Sequence, residues 1–384
     1  MTKFPPPLRE TGRTRILYRG RRLSYFGGCA YYRLASDPRV RRALVRGLDR
    51  FGLNAAASRM TTGNHAVYEQ LERELAKFFG AESAVLVPNG YATNLVVTQS
   101  LAGEFSHALL DERAHASLKD AAVFLGCPVI RFRHRDVERA ARMAQRLGAA
   151  AKPILLTDGM FSYNGGTAPL RAYRTALPKN VWMLVDDSHA AGVVGSSGRG
   201  TIEQEEIARS RVIQTITLSK AFGVAGGAIL GTNRLRDRLL TQSRMLIGST
   251  PMPFPLAAAA LAALKLVKTD AAMRHRLRDN VGRVRSRLRD AGIDVEDQPG
   301  PIVSVTVESK AARELLTKEL LSRKIYPSLI QYPGGPAPAY FRFVISSEHT
   351  ASQLDALARA LISYRRKGAA SGRRRSGGLV GNRD

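Results

Sequence analysis

A lysine between an apolar strand and a glycine-rich turn is the feature of this sequence that bears most on chemistry: Thr217-Leu218-Ser219-Lys220-Ala221-Phe222-Gly223, with Gly226 and Gly227 just beyond. Upstream, apolar Val212, Ile213, Ile216 and Leu218 are interleaved with polar Gln214, Thr215, Thr217 and Ser219. That pattern suits a mostly buried strand end. Burial disfavours the charged form of a lysine. The free amine is a nucleophile, suited to a Schiff base with a carbonyl compound or with pyridoxal phosphate. Taken alone, the segment would equally suit a lysine snorkelling at a strand end.

A second segment, Val181-Trp182-Met183-Leu184-Val185-Asp186-Asp187-Ser188-His189, ends an apolar run in two carboxylates and a histidine. Open α/β sheets bind ligands at the carboxyl ends of their strands. An aspartate there can pair with a protonated ring nitrogen, the partner that makes a pyridine the better electron sink. Asp186 alone would also serve as a cap for the following turn. A third segment, Pro88-Asn89-Gly90-Tyr91, sits where a short strand meets a helix. Free N–H groups at a helix start suit a phosphate, and Gly90 permits close approach. An Asn-Gly pair by itself is also an ordinary turn.

The elements that position these residues alternate. Strand-like runs lie at Ala84 to Val87, His107 to Leu110, Val129 to Phe132, Ile154 to Thr157, Trp182 to Val185, Val212 to Leu218 and Ala228 to Gly231, mostly separated by helical stretches. That order predicts a mostly parallel sheet with helices on both faces. A helix starts near Asp37-Pro38, and Asn64 or Thr62 is placed to cap the next one. After Pro251-Met252-Pro253 a long helix runs from about Pro255 to Arg289, interrupted near Thr269-Asp270. Strands over Ile302 to Val307 and Phe341 to Ile345 and a last helix over Ser352 to Tyr364 complete a smaller α+β domain. The expected division is a basic arm over 1–45, a large domain over 46–250, a small domain over 251–366 and a disordered basic tail over 367–384.

The chain has 384 residues, enough for two domains around a large core. No apolar run reaches the length of a membrane span, and the start lacks a secretory apolar stretch. Cys29 and Cys127 form neither a metal motif nor a disulfide framework. A cytoplasmic enzyme is the expectation, with no metal. The net charge is +27, and residues 1–50 carry thirteen Lys or Arg against three acids. Such charge suits a polyanionic substrate, nucleic acid or an anionic surface. Arginine is scattered throughout, however, and no aromatic-interleaved basic motif or appended helix-turn-helix stands out.

In their order along the chain, from about Tyr32 to Thr350, these segments resemble the α-oxoamine synthases. These are fold-type-I pyridoxal phosphate enzymes that join an amino acid to an acyl-CoA with loss of carbon dioxide; 8-amino-7-oxononanoate synthase and 2-amino-3-ketobutyrate CoA ligase are members. The resemblance implies an α/β fold with a seven-stranded, mostly parallel sheet domain and a smaller C-terminal α+β domain. It implies Lys220 as the Schiff-base lysine, Asp186 at the pyridine nitrogen, His189 at the phenolic oxygen and His115 stacked on the ring. Gly90, Tyr91 and Thr217 would lie at the phosphate, Ser219 with Thr217 would flank the cofactor lysine, and Ser162 would lie near the cofactor. Ser249 and Thr250 would reach the phosphate from a second subunit of a homodimer, and Arg342 would hold the substrate carboxylate.

Several positions depart from the family pattern. Ala30 and Arg33 replace an asparagine and a glycine, Ala55-Ala56-Ala57 replaces a glycine-rich segment, and Tyr68 replaces a histidine. Asp158 stands where glutamate is usual, Ala190 and Ala191 follow His189, and Ser328 to Pro336 replaces a proline-rich stretch. None of these changes touches Lys220, Asp186, His189, His115 or Arg342, so the expectation is altered substrate choice with the cofactor machinery intact. The expected activity is a C-acyltransferase like 8-amino-7-oxononanoate synthase, acting on an amino acid and an acyl-CoA or acyl-carrier thioester. An aminotransferase or amino-acid lyase of the same fold is the alternative.

Overall fold

The computed structural model describes residues 4, 6–293, 295–331 and 338–376, with side chains through residue 368. The described chain forms two compact units. One comprises Cys29–Arg274 with Gln298–Gly300; the other comprises Met1–Gly28, His275–Asp297 and Pro301–Asp384, as far as these are described.

The second unit begins where an irregular arm was expected. Strands β1 (Arg9–Gly12), β2 (Arg15–Tyr18) and β3 (Arg21–Ser24) form an antiparallel sheet. Ile16 and Leu23, paired across β2 and β3, are fully buried. The arginines around them mask so short an alternation. Residues of this segment are tied to the far end of the chain: Ser24 N–H donates to the Lys324 carbonyl at 2.7 Å, Tyr326 N–H to the Ser24 carbonyl at 2.9 Å and Val344 N–H to the Phe26 carbonyl at 2.7 Å. A division at residue 45 therefore does not describe the compact units.

The first unit is built on a seven-stranded sheet. Its strands are β4 (Ser83–Val87), β5 (His107–Asp111), β6 (Val129–Phe132), β7 (Pro153–Asp158), β8 (Trp182–Asp186), β9 (Val212–Thr217) and β10 (Gly227–Gly231), in the order β4-β10-β9-β8-β7-β5-β6. β10 pairs antiparallel with both neighbours, and the remaining pairs are parallel. Alternate residues feed two apolar layers. Leu110, Leu156, Leu184 and Ile213 join the core on one face, and Leu109, Leu155, Met183 and Val212 the core on the other. Both faces are covered by helices, so the central strands read as continuous apolar runs. Removing one such leucine side chain costs about 2–5 kcal/mol.

Asp37 caps the helix Pro38–Phe51, accepting from Arg39 N–H at 2.8 Å. The next helix, Ala66–Phe79, is capped by neither Asn64 nor Thr62. His65 Nδ1 accepts from Val67 N–H, while Asn64 bridges Arg59 and Glu69. The long helix divides as its sequence suggests, into Phe254–Thr269 and Ala271–Asp290 around Asp270.

The second unit closes with β11 (Ile302–Thr306), β12 (Leu329–Ile330) and β13 (Tyr340–Val344), in the order β11-β13-β12. Its last helix extends over Ala351–Ser376 and takes in the first ten residues of the tail expected to be disordered. Lys367 Nζ donates to Glu319 at 2.6 Å, and lysine, arginine and alanine are good helix formers. Tyr332 to Ala337 and the tail from Gly377 lie outside the described residues.

Candidate active site

The carboxyl ends of β7, β8 and β9 lie side by side. In the parallel register Asp158 is opposite Asp186, and Asp186 is opposite Thr215. Asp186 is buried; its carboxylate accepts from Asn94 Nδ2 at 2.7 Å and from Ser188 N–H at 2.9 Å. Both partners are donors, and they fix the plane of the carboxylate. Lys220 is half-buried in the turn three residues past β9. His115 begins the helix Ala116–Ala122 beyond β5, and its N–H donates to Asp158 Oδ2 at 2.7 Å. Burial lowers the pKa of the His115 imidazole; the charge of Asp186 opposes that shift and the charge of Lys220 adds to it. Lys220, Asp186, His115 and Asp158 therefore share one electrostatic neighbourhood.

Asp158 makes its own prediction. Burial, reinforced by the Asp186 charge, holds its carboxyl well above the usual carboxylate range. The unfolded chain loses this proton near about pH 3.9 and the folded protein only at higher pH. Stability from this group is thus complete below the unfolded value and declines as pH rises through the folded value. An Asp158→Asn amide has no such proton, and its oxygen can still accept from His115 N–H. In thermal melts the variant gains on the wild-type protein as pH rises above about 4. A difference that does not vary with pH would exclude a raised carboxyl.

Gly90 opens the helix Gly90–Ser100, and Asn89 caps it by accepting from Ala92 N–H at 2.9 Å. A Cβ on Gly90 would lie 2.5 Å from Thr217 Cβ and 2.6 Å from its hydroxyl. Only glycine lets the helix start and the lysine segment approach so closely. Thr217 Oγ1 donates within the turn to Ser219 Oγ or to the Gly226 carbonyl, at 3.2 Å in each case, and accepts from Ser219 N–H. First-turn N–H groups and two hydroxyls thus converge, a donor set that fits a phosphate. Tyr91 Oη donates to Asp120, and its ring meets His115 edge-on with centroids 6.0 Å apart. Gly90→Ala is expected to weaken cofactor binding at least tenfold and to cost about 1–3 kcal/mol of stability through overpacking. Fluorescence titration and thermal melts check the two effects; unchanged affinity would separate this helix start from the phosphate.

His189 is buried beyond β8, with Nδ1 2.8 Å from Tyr31 Oη. Asp187, which is fully buried, serves the loop: it accepts from Thr201 N–H, Thr201 Oγ1 and Gln214 Nε2. Ser162 is half-buried after β7. Ser249 and Thr250 follow the short helix Arg244–Gly248 and line a separate groove of about 200 Å³ with Arg59, Asn64 and Arg236, to which the Lys220 cluster contributes nothing. Arg342 lies on β13 opposite Ser304, in the other unit.

The structure also brings in three residues to which the sequence reading gave no role. Asn94 and Ser117 bond to each other at 2.9 Å, Asn94 to Asp186, and Ser117 to His115. Tyr31 meets His189. An asparagine in mid-helix, where it is a poor helix former, was the one available signal.

The donor set thus fits pyridoxal phosphate: a lysine amine, a buried carboxylate for the ring nitrogen, an imidazole for the ring face and a helix start for the phosphate. The sequence profile of class I and II aminotransferases matches residues 30–361. The chain belongs to that family. An 8-amino-7-oxononanoate synthase of Thioalkalivibrio sulfidiphilus is 35% identical over 89% of this chain and 88% of that protein. A serine palmitoyltransferase solved with pyridoxal phosphate superposes with a TM-score of 0.86 at 26% identity, over 94% of this chain and 91% of that one. An 8-amino-7-oxononanoate synthase of Francisella tularensis superposes with a TM-score of 0.78 at 25% identity, over 91% and 99%. The protein is a pyridoxal-phosphate-dependent transferase with the fold-type-I architecture, in the α-oxoamine synthase branch. Among the described residues, no helix is long and apolar enough to cross a membrane.

Proposed function

We propose that the protein is a C-acyltransferase that joins a small α-amino acid to an acyl thioester, releasing carbon dioxide and a free thiol and leaving an α-aminoketone. The observation that carries this reading is the joint placement of Lys220, Asp186 and His115 at the carboxyl edge of the sheet, in a chain about one-third identical to 8-amino-7-oxononanoate synthases. The name of that product constrains the substrates. Its methyl and amine-bearing carbons correspond to alanine after decarboxylation, and the rest to a diacid bound as a monothioester. Alanine is therefore the first amino acid to test.

Bound at this site, pyridoxal phosphate supplies the electron sink that stabilises a carbanion at the α-carbon of the amino acid. The protein does the rest. Asp186, oriented by Asn94 and Ser188, keeps a proton on the ring nitrogen. Lys220 Nζ would remove and return the proton at the α-carbon of the amino acid. His115 would cover one ring face and His189 would serve the phenolic oxygen. Gly90, Tyr91 and Thr217 would hold the phosphate, Ser219 would flank the cofactor lysine, and Ser162 would lie near the cofactor. Arg342 offers its guanidinium fork to the substrate carboxylate. Ser249 and Thr250, which lie in a groove of their own, act on the phosphate of a second copy in a homodimer. The cationic surface draws in the anionic thioester carrier.

The test is thiol release by the purified, cofactor-loaded protein on a grid of small amino acids and acyl-CoAs of several lengths. Release that depends on the amino acid supports the reading and reports its substrates. A keto acid formed without a thioester would replace it with an aminotransferase.

A further inference from the structure

We propose that Asn94 is a positioning residue that sets the direction of the hydrogen bonds running from Asp186 to His115, so that the Ser117 hydroxyl joins the Ser117 N–H in donating to Nδ1 and the imidazole holds its proton on Nε2. Asn94 is fully buried in the middle of the helix Gly90–Ser100, a position that disfavours asparagine unless its amide is satisfied. Here it is satisfied on every side. Nδ2 donates to Asp186 Oδ2 at 2.7 Å and to Ser117 Oγ at 2.9 Å, while Oδ1 accepts from Thr215 Oγ1 at 2.8 Å. The reverse orientation would aim the amide oxygen at a carboxylate that has only acceptors to offer. The orientation of the amide is therefore forced by Asp186.

Its consequence reaches His115 by counting protons. Ser117 Oγ has one hydrogen. It accepts from Asn94, so that hydrogen points to His115 Nδ1, 2.9 Å away. Ser117 N–H approaches the same nitrogen at 3.2 Å. Two donors converge on Nδ1, which must present its lone pair, and the ring carries its proton on Nε2. Burial lowers the pKa of the imidazole, and the surrounding charges of Asp186, Lys220, Lys119 and Asp120 oppose one another in part. A ring with one proton can lie over a cationic pyridine ring without charge repulsion. Its Nε2–H edge remains a donor for a substrate oxygen. This functional consequence rests on the proposed placement of Asp186 and His115 at the cofactor, whereas the tautomer itself does not.

The test uses the full chain without cofactor, labelled with 15N-histidine, and long-range proton–nitrogen correlation near pH 7. The His115 signals are assigned by their loss in a His115→Gln variant. The expected wild-type pattern is a ring protonated on Nε2 alone. In Asn94→Ala the Ser117 hydroxyl is free to turn away, so His115 Nδ1 keeps only the Ser117 N–H as a donor; the proton stays on Nε2, and the Nδ1 signal moves toward that of an imidazole nitrogen without a hydrogen bond. Ser117→Ala cuts the same relay without removing the buried amide and gives the same shift, so it carries the test if Asn94→Ala does not fold. A wild-type ring protonated on Nδ1, or an Nδ1 signal left at its wild-type position in the folded variants, overturns the proposal. Failure of the functional reading shows elsewhere, as a wild-type protein that releases no thiol while keeping the tautomer pattern.

Discussion

Lys220→Ala lowers amino-acid-dependent thiol release by roughly 10⁴-fold, the upper end of what a positioned proton-transfer group supplies. The variant folds. Lys220 is only half-buried in a turn outside any strand or helix, so its loss leaves no cavity in either apolar layer and moves the melting temperature by no more than a few degrees. Two further observations separate a chemical role from a structural one. After borohydride reduction, the wild-type peptide spanning Lys220 carries the mass of the cofactor, and the variant peptide does not. Small primary amines added to the variant restore part of the rate, because they supply the missing base. A variant that releases thiol at the wild-type rate would remove Lys220 from the mechanism and the acyltransferase reading with it.

Asp186→Ala has the second-largest effect, for a different reason. Its carboxylate is a fixed acceptor between Asn94 Nδ2 and Ser188 N–H. Truncation leaves both donors without that acceptor, at about 1–3 kcal/mol each. It also removes the group that keeps the ring nitrogen protonated. Losing one preorganised electrostatic partner costs roughly 10²–10³-fold in kcat, and KM for the thioester changes little. A cofactor methylated on the ring nitrogen carries the missing positive charge permanently. It is expected to recover part of the lost rate in Asp186→Ala and none in Lys220→Ala. Equal recovery in both variants, or in neither, would place Asp186 somewhere other than at the ring nitrogen.

These two residues were legible in the sequence because each sits at the end of an apolar run. Strand ends in an open parallel sheet are where ligands bind, and the runs over Trp182–Asp186 and Val212–Thr217 are strong local signals. The same logic found every strand of the central sheet to within a residue or two at its ends. It also found the break at Asp270, whose side chain caps the second helix by accepting from Met273 N–H.

Long-range pairing was not legible. The first three strands are four residues each and rich in arginine. Their stability comes from partners some three hundred residues away, among them Lys324 and Gln353. The choice of His65 as a cap over Asn64 depended on where Arg59 and Glu69 lay in space. The last helix outran its expected end because Lys367 finds Glu319 on another helix.

Composition, apolar periodicity and strand-end chemistry thus determined the sheet class and the places of Asp186 and Lys220 at strand ends, since each is written within a dozen consecutive residues. Only the tertiary structure decided how the site is wired. The register places Asp158 opposite Asp186, Gly90 gives way to Thr217, and Asn94 joins Asp186 to Ser117 across helix and sheet. Hydrogen-bond direction depends on which donors and acceptors meet in space, and no local pattern encodes a partner ninety residues away.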